Sequence, residues 1–184
     1  MNKLVVNCGG MFSGKTSALL QQGERYLRKK TGKVLYIKPM NDERYSKDEI
    51  VTHNGISVEA TVMPVCGLSC NVGKYDIILI DEVQFFEKGI IEDIKALLRK
   101  GKTVHVSGLD MDYKGEPFEI TTKLMGIADE VNKFRAVCEV CGEDATFTGK
   151  FSKSKERIEV GGAETYSPLC RKCFNKLKKE QEIL

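Results

Sequence analysis

The sequence predicts an α/β fold, a mostly parallel sheet flanked by helices, followed by a small cysteine-bound unit at the C-terminus. Three observations carry this. Short apolar, β-branched runs alternate with helical patterns over the first two-thirds of the chain. A glycine-rich loop joins the first of these runs to the first helix. From about Ala136 onward the alternation gives way to short segments between two cysteine pairs. At 184 residues there is room for one domain of ordinary size and an appendage, and the change of pattern divides the chain into residues 1–136 and 137–184.

Leu4 to Cys8 is short, β-branched and followed by glycines, the pattern of a buried strand in which Cys8 packs as a small hydrophobe. Thr16 to about Lys30 reads as a helix with Leu20, Gly23 and Leu27 on one face, basic residues in its last turn and Gly32 as the stop. Lys33 to Ile37 is the next strand, ended by Pro39, and residues 40–55 are polar and read as loop. Asp76 to Ile80 is apolar enough for a central strand covered on both faces. Glu87 to Lys100 places Ile91, Ile94 and Leu98 at helical spacing, with Gly101 at the C-cap. Thr103 to Ser107 forms a fourth strand, and a basic helix from Arg171 to Glu180 closes the pattern.

Charge and composition narrow the class of function. Lys and Arg number 29 against 26 Asp and Glu, and a net charge of +3 is too small to argue for a nucleic-acid or membrane partner. No uninterrupted run of 18 apolar residues occurs, so nothing is expected to span a bilayer. The N-terminal residues reach the glycine loop by residue 9, too early for the apolar region of a signal peptide. Seven cysteines, an odd number without a secretion signal, argue against a disulfide framework. Cys66 and Cys70 form a lone C-x3-C, too little to define a metal site. A cytoplasmic enzyme or binding protein is the expectation.

Gly9-Gly10-Met11-Phe12-Ser13-Gly14-Lys15-Thr16 fits G-x-x-x-x-G-K-[ST] between a predicted strand and a predicted helix, the context this motif requires. Glycines let the backbone curl so that successive N–H groups face phosphate oxygens at the positive end of the helix dipole. Lys15 adds a point charge toward the β- and γ-phosphates, and the Thr16 hydroxyl can ligate Mg²⁺. A chance glycine-rich turn is the bland alternative, and the flanking strand and helix argue against it. The sheet is therefore expected to be of the P-loop NTPase type, binding a nucleoside triphosphate. Asp81, at the end of the apolar run Ile77 to Ile80, would stand beside this loop and hold Mg²⁺ directly or through water. The alternative is a strand that ends in a solvated acidic pair. Glu82 could deprotonate a substrate hydroxyl, making a kinase, or orient water, making an ATPase. The motif alone leaves both open.

Cys138-x-x-Cys141 and Cys170-x-x-Cys173, separated by 28 residues, have the arrangement of a structural zinc ribbon. Four thiolates close a tetrahedral site with no open position, so zinc here would stabilise a segment too small for its own core rather than act in the reaction. Residues 137–184 hold nine Lys and Arg against eight Asp and Glu, which argues against a nucleic-acid-binding ribbon. The basic stretch from Arg171 to Lys179 is more simply a solvated helix face. Between the pairs, Gly161 and Gly162 precede Tyr166. This segment is either a loop whose backbone approaches a ligand or a plain turn with Tyr166 packed on the ribbon, and composition favours the turn.

Several stretches together are colinear with one family: Met-Phe-Ser inside the phosphate loop, Asp42 to Ser46, Asp-Glu-x-Gln-Phe-Phe at Asp81 to Phe86, Gly108 to Asp110, Pro117-Phe118, and cysteine pairs enclosing Gly-Gly-Ala-x-x-Tyr. In these the chain resembles the cytosolic-type (type II) thymidine kinases. The resemblance implies transfer of the ATP γ-phosphate to the 5′-hydroxyl of thymidine, with Glu82 as the catalytic base. It implies that Arg44 positions substrate and phosphoryl group, with Asp42 in the same loop. It implies a thymine pocket of Met11, Leu109, Tyr113, Phe118 and Thr148 with Phe85 at its wall. Residues 149–166 would form a lasso over the nucleoside, with backbone around Gly161 and Gly162 and the Tyr166 side chain contacting it, while Arg157-Ile158-Glu159 makes no assigned contact. Homotetramers and feedback inhibition by thymidine triphosphate are implied as well. Two positions depart from the family pattern: Gly10 stands where many members have proline, and Tyr113 where phenylalanine is frequent. Outside the resemblance, two readings remain: a P-loop ATPase whose ribbon docks a partner, and a zinc-ribbon nucleic-acid binder.

Overall fold

The computed structural model describes residues 2–30, 32–42, 46, 48–52, 54–68, 70–152, 156 and 162–182. Its centre is a six-stranded sheet in the order β5-β2-β6-β7-β1-β8, with every pairing parallel. The strands are β1 (Leu4–Gly9), β2 (Val34–Pro39), β5 (Thr61–Met63), β6 (Ile77–Ile80), β7 (Thr103–Leu109) and β8 (Glu130–Lys133). Helix α1 (Lys15–Lys29) covers one face; α2 (Gly89–Arg99) and α3 (Glu119–Ile127) cover the other. β6 displays the two-layer logic most clearly. Ile78 and Ile80 join Ile90, Ile94 and Leu124 on one side, whereas Ile77 and Leu79 join Leu19 and Tyr26 on the other, as the period-2 pleat requires. At the end of α2, Gly101 takes φ 78°, and the Gly101 and Lys102 N–H groups donate to Leu98 and Leu97 carbonyls, the 5→2 and 6→1 bonds that stop a helix.

Four expectations change. Leu27 is 51% exposed, and Tyr26 takes its place on the buried face of α1, where its ring packs edge-on against His105 of β7 at 5.5 Å. Helix α1 ends at Lys29, before Gly32: Lys30, at φ 52°, caps it by donating to the Leu27 carbonyl. The region read as loop, residues 40–55, contains strand β3 (Glu49–Val51), which pairs antiparallel with β4 (Ser57–Glu59) just past it, and the sheet's edge strand β5 follows. Three-residue strands with exposed polar positions carry no usable alternation. α3 and β8 were also absent from the sequence reading: α3 carries Thr121, Thr122 and Gly126, and β8 is an exposed edge strand, Glu-Val-Asn-Lys.

Beyond residue 135, two small antiparallel pairs follow, β9 (Ala136–Val137) with β10 (Asp144–Ala145) and β11 (Phe147–Lys150) with β12 (Tyr166–Leu169), and then helix α4 (Arg171–Glu182). Ala136, Cys138, Ala145, Phe147, Leu169, Cys170 and Phe174 form a separate apolar cluster, into which Phe12 of the phosphate loop and Met111 also pack. The cysteine unit is thus seated directly on the glycine loop.

Candidate active site

The phosphate loop leaves β1 at the carboxyl edge of the sheet, where open α/β sheets bind ligands. Its turns use glycine where backbone geometry demands it. Gly14 has φ 86°, and a side chain on Gly9 would place Cβ 2.5 Å from the Phe134 carbonyl oxygen. Gly14 provides no side-chain cap for α1, and the first turn has no acidic residue, so the helix N-terminus keeps its positive end for an anion. Lys15 is buried and donates from Nζ to the Gly10 carbonyl at 2.6 Å; the Ser13 hydroxyl donates to the same oxygen at 2.8 Å.

Thr16 Oγ1 donates to Asp81 Oδ2 at 3.0 Å, which brings the two expected magnesium ligands together. Burial raises the Asp81 carboxyl to about 7, and the neighbouring Glu82 charge adds to the shift. A hydroxyl and a buried carboxylate in contact fit a hard divalent cation, which would hold Asp81 ionised. Glu82 follows with φ 50°, a left-handed conformation that costs of order 1–3 kcal/mol for a non-glycine residue. A 3-10 turn at Val83–Phe85 begins immediately after it, with the Phe85 N–H donating to the Glu82 carbonyl at 3.1 Å.

Met11, Phe12, Ser13, Gly14, Lys15, Thr16, Asp42, Asp81, Glu82 and Leu109 line one cleft. Gly9 and Gly10 are not among its lining residues. Thr148 does not line the cleft; its Oγ1 accepts the Met11 N–H at 3.1 Å, tying β11 to the loop across 137 residues. A Cβ at Gly10 would lie 3.2 Å from the same Thr148 oxygen, so glycine here permits the close approach of β11. Phe118 is buried at the start of α3 and donates its N–H to the Asp110 carbonyl at 2.9 Å. Phe85 is half-buried, and Tyr166 is buried within β12 and donates its N–H to the Gly162 carbonyl at 3.0 Å. Arg44 and Gly161 lie outside the described residues.

Three residues in and around this cleft had no role in the sequence reading. Lys38, at the end of β2, is 3% exposed and donates to the Ser46 and Glu49 carbonyls at 2.7 and 3.1 Å, holding those two residues against the sheet. A lysine ending an apolar strand just before a proline is the signal that marks it. Gln84, also buried, accepts the Leu109 N–H on Oε1 at 3.0 Å and donates from Nε2 to Glu82 Oε2. Lys150 is 2% exposed, donates to the Glu156 carbonyl at 2.9 Å and sits 4.6 Å above the Tyr113 ring. Lys178 reaches the same ring from α4 at 5.2 Å.

The Sγ atoms of Cys138, Cys141, Cys170 and Cys173 all lie within 4.8 Å of one another, with Cys141 and Cys170 3.6 Å apart. Metal–sulfur bonds of 2.3 Å in a tetrahedron put sulfurs about 3.8 Å apart, so this quartet can hold a metal ion. Burial alone would push the Cys138 thiol up, but backbone hydrogen bonds at Cys170, Val140 and Cys141 bring it down to about 6, toward the thiolate a metal needs. No helix among the described residues is long and apolar enough to cross a membrane.

A parallel α/β sheet with a glycine phosphate loop, a Thr16–Asp81 hydrogen bond beside it and an adjacent carboxylate has the architecture of a P-loop nucleotide-binding protein. The thymidine kinase family profile matches residues 2–174. The chain is 40% identical over 188 residues to a thymidine kinase of Pseudothermotoga lettingae, covering 98% of each. It is 36% identical over 181 residues to one of Bacteroides thetaiotaomicron, covering 97% of this chain and 89% of that one. A thymidine kinase of Bacteroides fragilis matches at the same identity and coverage. The chain belongs to the thymidine kinase family.

Proposed function

We propose that this chain transfers the γ-phosphoryl group of ATP to the 5′-hydroxyl of thymidine, giving thymidine monophosphate. The observation that carries the reading is the single cleft in which the phosphate loop, Asp81, Glu82 and Leu109 meet. The loop N–H groups and Lys15 bind the triphosphate; Lys15, now on the Gly10 carbonyl, needs only to turn to the phosphates. Mg²⁺ held by Thr16 and Asp81 would neutralise charge building on the phosphate oxygens. Glu82 takes the 5′-hydroxyl proton as the oxygen attacks phosphorus in line with the departing ADP, and Arg44 and Asp42 orient the transferred group.

Met11 and Leu109 support a nucleoside subsite beside Glu82, with Phe85, Tyr113, Phe118 and Thr148 forming its outer wall. Residues 149–166, with Gly162 and Tyr166 at the far end, close over the sugar and exclude water, which favours transfer over hydrolysis. The cysteine quartet takes Zn²⁺ as a closed structural site that anchors both ends of this lid. Cysteines gathered as metal ligands suit a reducing compartment, which supports a cytoplasmic location. Thymidine triphosphate, which would span both subsites, acts as a feedback inhibitor, and the assembly is a homotetramer.

Purified protein given ATP, Mg²⁺ and thymidine should form the monophosphate, and Glu82→Gln should abolish turnover with ATP affinity nearly intact. Phosphate release independent of thymidine, or a Glu82→Gln variant at near-normal rate, would sink the reading.

A further inference from the structure

We propose that Gln84 is the positioning residue that fixes the Glu82 carboxylate in register with the Leu109 backbone, so that the base and the wall of the nucleoside subsite move as one body. This rests on the reading of Glu82 as the base and Leu109 as part of that wall. The amide is buried and used at both ends: Oε1 accepts the Leu109 N–H at 3.0 Å, and Nε2 donates to Glu82 Oε2. Its orientation is fixed by chemistry. A backbone N–H is only a donor and a carboxylate only an acceptor, so rotating the amide by 180° would set like against like at both ends.

Space for the bridge comes from Gly108. A Cβ there would lie 2.7 Å from Gln84 Oε1 and 2.8 Å from Val83 Cγ1, so any side chain at 108 displaces the amide. The backbone at Glu82 is already held left-handed by the turn that follows, which fixes where the side chain starts but leaves its own torsions to be set. Gln84 sets them. Leu109 ends β7, whose pairing with β1 runs through Leu109 itself, so the bridge refers the base to a strand pair inside the sheet. An acceptor hydroxyl seated against Leu109 then meets a carboxylate whose distance from it is set within the sheet.

The geometry predicts an effect on turnover rather than on binding. Gln84→Leu, and Gln84→Met as the better-fitting variant should the first not fold, are measured by steady-state kinetics over both substrates. Turnover should fall about 10- to 100-fold, the cost of a base misplaced by roughly 1 Å, while both KM values stay within about two-fold. Gly108→Ala, which pushes the same amide, should reproduce the loss, and combining it with Gln84→Met should cost little more than the worse single change. A Gln84→Met protein with kcat within about two-fold of the parent, a loss carried by KM alone, or full additivity with Gly108→Ala overturns the proposal. Glu82→Gln separates the two levels. Near-normal turnover there overturns the base itself, whereas abolished turnover there with an unaffected Gln84→Met overturns only the positioning role.

Discussion

Lowering the pH should unfold this protein through His105 in a way a single substitution removes. His105 is 2% exposed in β7 beneath α1, with Nε2 3.0 Å from the Tyr26 hydroxyl. Burial, helped by the nearby Lys3 charge, lowers its pKa from 6.5 to about 4. The unfolded chain therefore takes up a proton between about pH 6.5 and 4 that the folded protein refuses, so stability falls as pH drops through that window. Moving a histidine from 6.5 to about 4 corresponds to about 3 kcal/mol, lost almost completely by pH 4. For a chain of this size that is roughly 6–12 °C in melting temperature. The assay is thermal unfolding of wild type and His105→Phe across pH 4 to 7, with the difference between the curves read so that carboxylate titrations common to both cancel. The variant should be less stable at pH 7, because the buried Tyr26 hydroxyl loses its partner at a cost of about 1–3 kcal/mol. The gap should then close toward pH 4. Parallel curves across the window would refute the reasoning.

Thr148→Val removes the acceptor of the Met11 N–H, and leaving that buried donor unpaired should cost about 1–3 kcal/mol, seen as a lower melting temperature and a weaker KM for ATP. A variant with unchanged melting and ATP kinetics would show that the bond does not tie the loop. Lys150→Met removes both a charged donor to Glu156 and the cation over Tyr113, which should raise the thymidine KM about ten-fold or more with a smaller change in kcat. Metal removal by chelator should release one equivalent of ion per chain, lower the melting temperature and raise the thymidine KM; unchanged kinetics in metal-free protein would contradict the lid role.

The sequence disclosed those elements whose burial is complete or whose period is regular. β6 is apolar throughout and β1 and β7 are buried along nearly their whole length because the sheet is covered on both faces, and α2 repeats its isoleucines at helical spacing. The choice of Leu27 over Tyr26 was a rotation of one residue, about 100° on the helix, and the partner that decided it, His105, lies 79 residues away. β3, β4, β5 and β8 stayed hidden because short half-exposed strands are defined by their neighbours rather than by their own composition. The same division runs through the candidate site. Phosphate binding needs contiguous residues, so Gly9 to Thr16 could be found by spacing alone, and so could the two cysteine pairs. Lys38 and Lys150 have no such spacing: Lys38 shows only as a lysine ending an apolar strand before a proline, and Lys150 meets the Tyr113 ring only in the folded protein.

The bond from Met11 to Thr148 also fixes when this protein becomes competent during its synthesis. The glycine cradle is made well before the strand that buttresses it, which comes 137 residues later, and that strand's own mate, β12, is made later still. Nascent chains stalled before β12 therefore carry an intact phosphate motif without its buttress, and a firm grip on a triphosphate follows only once β12 has been made.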